Sequence, residues 1–118
     1  MTILPTSAEA ESLLGPEAWK RLRLLLSAIQ AAPFRAVGPR EESRIMDEII
    51  LDSLAPLFLG LLHKEKSYSC IDLGGGFGIP SLPLASVLTS SRFTVVDSAT
   101  KRVKFGRETA AHLGLTGV

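Results

Sequence analysis

The sequence has 118 residues, 46% hydrophobic and 21% charged, with 13 Lys and Arg against 12 Asp and Glu. This length suits one domain with a hydrophobic core, and the net charge of +1 excludes a strongly basic nucleic-acid-binding arm or an acidic tail. The single cysteine, Cys70, excludes an internal disulfide framework, and the two histidines lie far apart in sequence. We therefore expect no metal site.

The sequence also carries no signal for secretion or for membrane insertion. Its first residues lack a basic stretch followed by an apolar run. The most apolar stretch, residues 49–62, is shorter than the roughly 20 residues that span a bilayer. We therefore expect a cytoplasmic protein that does not bind a membrane.

The pattern of the N-terminal part is helical. Residues 16–30 place apolar side chains at spacings of three and four residues, with a proline in the first turn, which predicts an amphipathic helix. Trp19 lies on its apolar face and is expected to anchor the core. A second helix is predicted over residues 41–55, where Pro56 bends or ends it. Residues 1–66 are thus predicted to form an N-terminal helical part.

Beyond residue 66 the pattern is that of alternating strands and helices. Residues 69–73 predict a buried parallel strand, and residues 92–96 predict a second strand rich in β-branched and aromatic side chains. Between them lie a glycine-rich loop and a predicted helix over residues 80–87. This order is typical of an α/β fold with a doubly wound, parallel or mixed sheet.

The last predicted helix follows the second strand. Asp97 and Ser98 can cap its start, and Gly114 is placed to end it in a left-handed turn. Residues 116–118 resemble the approach to a third strand. Because two strands do not make a stable sheet of this kind, we expect residues 67–118 to be the first half of a domain truncated after its second strand and helix.

The segment that carries chemistry is the glycine-rich loop. Gly74, Gly76 and Gly78 form G-x-G-x-G between a strand and a helix, where glycine allows a tight turn and close approach of a ligand to the backbone. Asp97 ends the next strand, nineteen residues after Gly78, and its carboxylate is suited to accept both ribose hydroxyls of a nucleoside. Together these features predict a nucleoside-containing cofactor.

The residues around the loop distinguish two cofactors. A dinucleotide site needs a small residue in the third position, where this chain has Ile79. Asp72 is unfavourable beside a pyrophosphate but favourable beside the cationic ammonium and sulfonium groups of S-adenosylmethionine. The pattern D-x-G-x-G-x-G therefore favours S-adenosylmethionine. A fragment of an NAD-binding oxidoreductase stays open as an alternative, as does a purely structural role for Asp72 and the glycines.

Three segments together resemble one methyltransferase family. The run ILDSL at residues 50–54, the run IDLGGGFGIPSLPLA at residues 71–85, and Val96-Asp97-Ser98 with Lys101-Arg102-Val103 look like the RsmG (GidB) family. The resemblance covers roughly residues 45–118. It implies a Rossmann-like fold and an enzyme that uses S-adenosylmethionine to methylate N7 of a guanine in 16S ribosomal RNA of the small subunit. It further implies that Gly74 and Ile79 contact the cofactor.

The sequence also departs from the family's usual pattern. Ser81 stands in place of a glycine and Gly106 in place of an apolar residue. Lys101 and Arg102 are candidate contacts to RNA phosphates, weighed evenly against a solvated helix face. No catalytic residue is predicted, because guanine N7 carries a lone pair and no proton. A non-catalytic remnant or binding module of the same fold is the second alternative.

Overall fold

The computed structural model describes residues 4–118 as a mixed arrangement of helices and strands. The α-helices are α1 (Ser7–Leu14), α2 (Pro16–Gln30), α3 (Glu42–Arg44), α4 (Ala55–Phe58), α5 (Ser81–Val87) and α6 (Thr100–His112). A π-helical segment, Ile45–Leu51, follows α3 directly. Two strands, β1 (Ser69–Leu73) and β2 (Arg92–Val96), pair in parallel.

Helix α2 has the bounds predicted from its apolar spacing. Its proline lies in the first turn, and the side chain of Trp19 is buried as expected. This face packs against α1, α5 and the π-helical segment. The buried side chains of α2 are Ala18, Trp19, Leu22, Leu25, Leu26 and Ile29.

Helix α1 was not predicted, although the sequence carries its start signal. The Thr6 hydroxyl accepts a hydrogen bond from the Glu9 backbone N–H at 3.3 Å, and the Glu9 carboxylate accepts one from the Thr6 backbone N–H at 3.1 Å. This reciprocal pair is a capping box, whose sequence form is T-x-x-E. The helix buries Ala10 and Leu14 against the core.

The predicted helix over residues 41–55 is wrong as a single regular helix. One α-helical turn gives way to the π-helical segment, whose buried residues, Ile45, Met46, Ile50 and Leu51, recur at a spacing of five. That spacing matches the wider π-helical turn, which brings both pairs to the core side. The helix breaks ahead of Pro56, as predicted: helical residues stop at Ser53, Leu54 forms a turn, and Pro56 lies in the first turn of α4, where its missing N–H costs little.

The strands have their predicted bounds and parallel direction, with Ser69 opposite Arg92 and Leu73 opposite Val96. The expectation that the first strand is buried is wrong, because Ile71 and Leu73 are 71% and 79% exposed. Only one face of the two-stranded sheet is covered. On that face Phe93 is buried and its neighbour Cys70 is half-buried.

The two ends of α6 differ in how well they match expectation. Gly114 ends the helix with φ of 74°, as predicted. The expected cap by Asp97 and Ser98 is wrong, because the helix begins at Thr100 and Ala99 is the residue before it. Beyond the helix, the Gly117 carbonyl accepts a hydrogen bond from the Phe93 N–H at 2.7 Å. The chain thus returns beside β2 at the position where a third strand was expected, although residues 116–118 form no regular strand.

One hydrophobic core joins the helical part to the α/β part. It includes side chains of α1, α2, the π-helical segment, α5 and α6, together with Phe77 and Phe93. The division of the chain at residue 66 stays a prediction. Among residues 4–118, no helix is long and apolar enough to cross a membrane.

Candidate cofactor cleft

The glycine-rich loop continues the sheet at the end of β1 and then turns sharply. The Gly74 N–H donates to the Val96 carbonyl at 2.7 Å, so the loop starts in register with β2. Gly76 and Gly78 have φ of 59° and 117°, in the region that other residues rarely adopt. A Cβ on Gly78 would also overlap the side chain of Leu82. The path of this loop therefore requires glycine at these two positions.

Asp97 fixes the loop to the start of the connection into α6. Its Oδ2 accepts a hydrogen bond from the Gly76 N–H at 2.9 Å, and its Oδ1 accepts one from the Ala99 N–H at 2.8 Å. The pKa of the Asp97 carboxyl is lowered by these bonds, first from Ala99 and then from Gly76, and by the positive charge of Arg102. The carboxyl is therefore ionised at neutral pH, and each oxygen keeps a lone pair for a further donor.

An open cleft of about 480 Å³ lies at the carboxyl ends of the two strands. We call its two sides the loop wall and the second wall. The loop wall consists of residues 74–77 with Ile79 and Asp97, and the second wall consists of Ala36, Val37 and Gly38. Ile49, Ala99 and Arg102 complete the lining. In open α/β sheets this end of the strands is the usual place for a ligand.

The structure brings most of the predicted cofactor residues to this cleft. Gly74, Gly76, Ile79 and Asp97 line it. Gly78, the last glycine of the loop, is buried; it shapes the turn and does not line the cleft. Whether any of these residues contacts a cofactor stays a prediction.

Asp72 lies beneath the loop instead of in the cleft lining. Its Oδ2 accepts a hydrogen bond from the Ser81 hydroxyl at 2.7 Å. Its carboxyl group approaches Gly75 so closely that a Cβ there would overlap it. Ser81 is buried, so this bond ties the end of β1 to the start of α5 under the loop.

The two candidate RNA contacts have different surroundings. Lys101 is exposed on α6. Arg102 is half-buried and lies over the Phe34 ring, 5.0 Å from its centroid. Its guanidinium donates to the carbonyls of Ala36 and Arg35 at 3.4 and 3.3 Å. Contact of either side chain with RNA stays a prediction.

Sequence reasoning did not find the second wall. Ala36, Val37 and Gly38 belong to the irregular stretch between α2 and α3, and they reach the cleft through contacts with residues more than sixty positions away. Small apolar residues in a connection between helices follow no sequence pattern that predicts a position in a ligand site. Ile49, on the π-helical segment, was missed as well.

No metal-binding group competes with this cleft in the part of the chain that the structure describes. There, no three side chains of His, Cys, Asp or Glu come together in a way that could hold a metal ion. A larger depression of about 540 Å³ lies on the far side of residues 32–40 and shares Ala36 and Val37 with the cleft. The glycine-rich loop and Asp97 mark the smaller one as the candidate site.

The fold and the cleft together define an α/β protein in which a glycine-rich loop after a parallel strand lines a ligand site. More particularly, the chain belongs to the family of rRNA small subunit methyltransferase G, also called GidB, whose family model matches residues 22–118. The match confirms the family resemblance and extends it about twenty residues towards the N-terminus.

Individual relatives support the same assignment. The chain is 35% identical over 98% of its length to "Ribosomal RNA small subunit methyltransferase G" of Solibacter usitatus. It is 42% identical over 67% of its length to the protein of that name in Deinococcus radiodurans, and 45% identical over 57% to that of Levilactobacillus brevis. The chain spans 52%, 30% and 28% of these three relatives respectively.

Proposed function

We propose that this chain carries the cofactor-binding part of a Rossmann-like methyltransferase that transfers a methyl group from S-adenosylmethionine to N7 of a guanine in 16S ribosomal RNA. Membership of the methyltransferase G family supports the reaction and the RNA substrate. Such a protein would act in the cytoplasm on the small ribosomal subunit or its RNA.

The observation that carries the proposal is the position of Asp97 against the glycine-rich loop. Its carboxylate is ionised, lines the cleft and accepts the Gly76 N–H, so it lies where the ribose of a nucleoside on the loop would come. Gly74 and Ile79 line the same wall and would contact the methionine end. The open volume of about 480 Å³ is within the usual range for a site of this ligand class.

This reaction requires no general acid or base from the protein. The lone pair of guanine N7 attacks the methyl carbon, the carbon–sulfur bond breaks, and the electron pair returns to the sulfur. No proton has to leave the nucleophile. Holding the two reactants in line in a site that favours the departing thioether can therefore supply the acceleration. This agrees with a cleft whose ionised carboxylate is already bound by backbone N–H groups.

Calorimetric titration with S-adenosylhomocysteine, with NAD as the parallel ligand, tests the cofactor. We expect saturable micromolar binding of S-adenosylhomocysteine and none of NAD. Binding of NAD alone would select the oxidoreductase alternative, for which the loop lacks a small third residue. Transfer of labelled methyl groups to small ribosomal subunits then tests the reaction itself.

A second candidate is a binding module of the same fold without turnover. The observation that favours it is the apolar face of the sheet, where the exposed side chains of Ile71, Leu73 and Val96 offer a surface to a partner. Cofactor binding without methyl transfer would select this candidate.

A further inference from the structure

Arg102 joins three parts of the molecule that are distant in sequence. It lies in the first turns of α6, and its side chain passes Gly76 of the glycine-rich loop. Its guanidinium then covers the Phe34 ring and donates to the carbonyls of Arg35 and Ala36. Because these two long hydrogen bonds join a charged side chain to backbone carbonyls, they restrain the backbone at Arg35 and Ala36.

The neighbouring turn of α6 reinforces the same connection. Phe105 follows Arg102 by three residues and lies on the same helix face. Its ring meets Phe34 edge to face with centroids 5.3 Å apart, and it meets Phe77 in the same geometry at 5.5 Å. Phe77 belongs to the glycine-rich loop and is buried. A row of three rings thus runs from the loop wall to the segment that precedes the second wall.

Besides Arg102, the second wall is attached by apolar packing, because Ala36 and Val37 pack against the hydrophobic core. Arg35 donates to the carbonyls of Val37 and Gly38 from within the same segment, which shapes the segment without fixing it to the rest of the protein. No carboxylate within hydrogen-bonding distance engages Arg102 in residues 4–118. The guanidinium contacts the Phe34 ring and the two carbonyls, and its charge also acts at longer range on Asp97.

We propose that Arg102 is a positioning residue that holds residues 34–38, which include the second wall of the cleft, in place and so sets the affinity for the cofactor. The inference rests on the proposed function for the identity of the ligand. It assigns Arg102 an intramolecular role in place of an RNA phosphate contact, whereas Lys101 keeps the predicted RNA role.

The test uses this chain with Arg102→Met, which keeps an unbranched apolar stem beside Gly76 and removes the charge and the donors. We expect about tenfold weaker binding of S-adenosylhomocysteine by calorimetry, and partial recovery with Arg102→Lys, which keeps the cation over the ring. Lys104→Met is the matched control, since Lys104 lies on the same helix with an exposed partner, Glu108. Its affinity should stay within about twofold of the wild type.

Phe34→Leu provides a second variant that leaves every charge unchanged. It should weaken S-adenosylhomocysteine binding about threefold, and its effect should be small once Arg102 is already methionine, because both changes loosen the same segment. This non-additivity separates positioning from general destabilisation. If the double variant loses as much affinity for S-adenosylhomocysteine as the two single variants lose together, the proposal is overturned.

Backbone ¹⁵N relaxation measured without ligand tests the positioning independently of the cofactor. In Arg102→Met, order should fall at residues 34–38 and stay unchanged within α6. If the wild type does not bind S-adenosylhomocysteine, the proposed function fails while this measurement still decides the role of Arg102. Unchanged order at residues 34–38, or loss of RNA affinity with unchanged cofactor affinity, would overturn it.

Discussion

The two walls of the cleft are built by different means. The loop wall is fixed by backbone geometry, with positive φ at Gly76 and Gly78 and short hydrogen bonds from loop N–H groups to β2 and to Asp97. The second wall belongs to an irregular segment that α6 contacts through the Arg102 side chain and through the ring contact between Phe105 and Phe34. The shape of the loop wall follows from its own glycines, whereas the position of the second wall depends on side chains from α6.

This difference teaches how each wall can fail. The loop wall is sensitive to substitution, because Gly76 and Gly78 have positive φ and a Cβ at Gly75 or Gly78 would overlap a neighbouring side chain. The second wall tolerates changes in its own small residues more readily than changes in the side chains that hold it. Substitutions can therefore address the two walls separately.

The largest effect is expected at Gly106, where α6 contacts the loop wall. A Cβ there would overlap the backbone carbonyl of Phe77, so Gly106→Leu should lower the free energy of unfolding by about 3 kcal/mol. Urea denaturation measures the change. Ala111→Leu, on the exposed side of the same helix, is the control and should shift stability by no more than about 0.5 kcal/mol. Equal effects would mean that this close approach does not constrain the loop.

Asp97 is the next test of the loop wall. Asp97→Ala removes the acceptor for the Gly76 and Ala99 N–H groups and the predicted acceptor of the ribose hydroxyls, so affinity for S-adenosylhomocysteine should fall at least about tenfold. Calorimetry provides the measurement. Asp52→Ala is the control, because that carboxylate is exposed and lies outside the cleft lining. Unchanged affinity in Asp97→Ala would remove Asp97 from the site.

A smaller effect on the same residue follows from pH. Because the folded-state pKa of Asp97 is lowered, its contribution to stability is present above the pKa of the unfolded chain and is lost as the pH falls through the folded value. Wild type should therefore lose more stability than Asp97→Asn when the pH is lowered from 7 to about 3. Parallel urea curves at both pH values decide this. An identical loss in both proteins would show that the carboxylate contributes no pH dependence.

The smallest effect is expected at Lys101, which belongs to neither wall. If this exposed cation contacts an RNA phosphate, Lys101→Met should weaken RNA binding a few-fold and reduce the salt dependence of binding by about one ion. Titration of a labelled RNA at several salt concentrations measures both. Affinity for S-adenosylhomocysteine should not change. An unaltered salt slope would leave Lys101 as part of a solvated helix face.

Local patterns predicted the parts of the fold that depend on neighbouring residues. The spacing of apolar side chains gave the bounds of α2, a short apolar run gave those of β1, and β-branched and aromatic residues gave those of β2. The loop glycines and Asp97 were recognised because a tight turn and a strand end impose residue types at fixed positions. The same reasoning overlooked the capping box of α1, which was present in Thr6 and Glu9.

Long-range packing decided what the sequence left open. The π-helical segment arises because Ile45 and Ile50 both have to reach the core, which a regular helix over these residues would not allow. The second wall owes its place to Arg102 and Phe34, whose contact joins residues far apart in sequence. The exposure of Ile71 and Leu73 depends on whether another part of a protein packs on that face of the sheet, and a local sequence pattern does not contain this information.

The hydrogen bond from the Phe93 N–H to the Gly117 carbonyl covers part of the outer edge of β2, whose other edge pairs with β1. Within residues 4–118, β1 pairs only with β2, so its outer edge keeps free backbone donors and acceptors. Such an edge lies beside the exposed apolar side chains of the sheet, so a strand of another molecule can pair with it. Self-association of concentrated samples is therefore expected to begin along β1, and a charged residue in place of Ile71 should delay it.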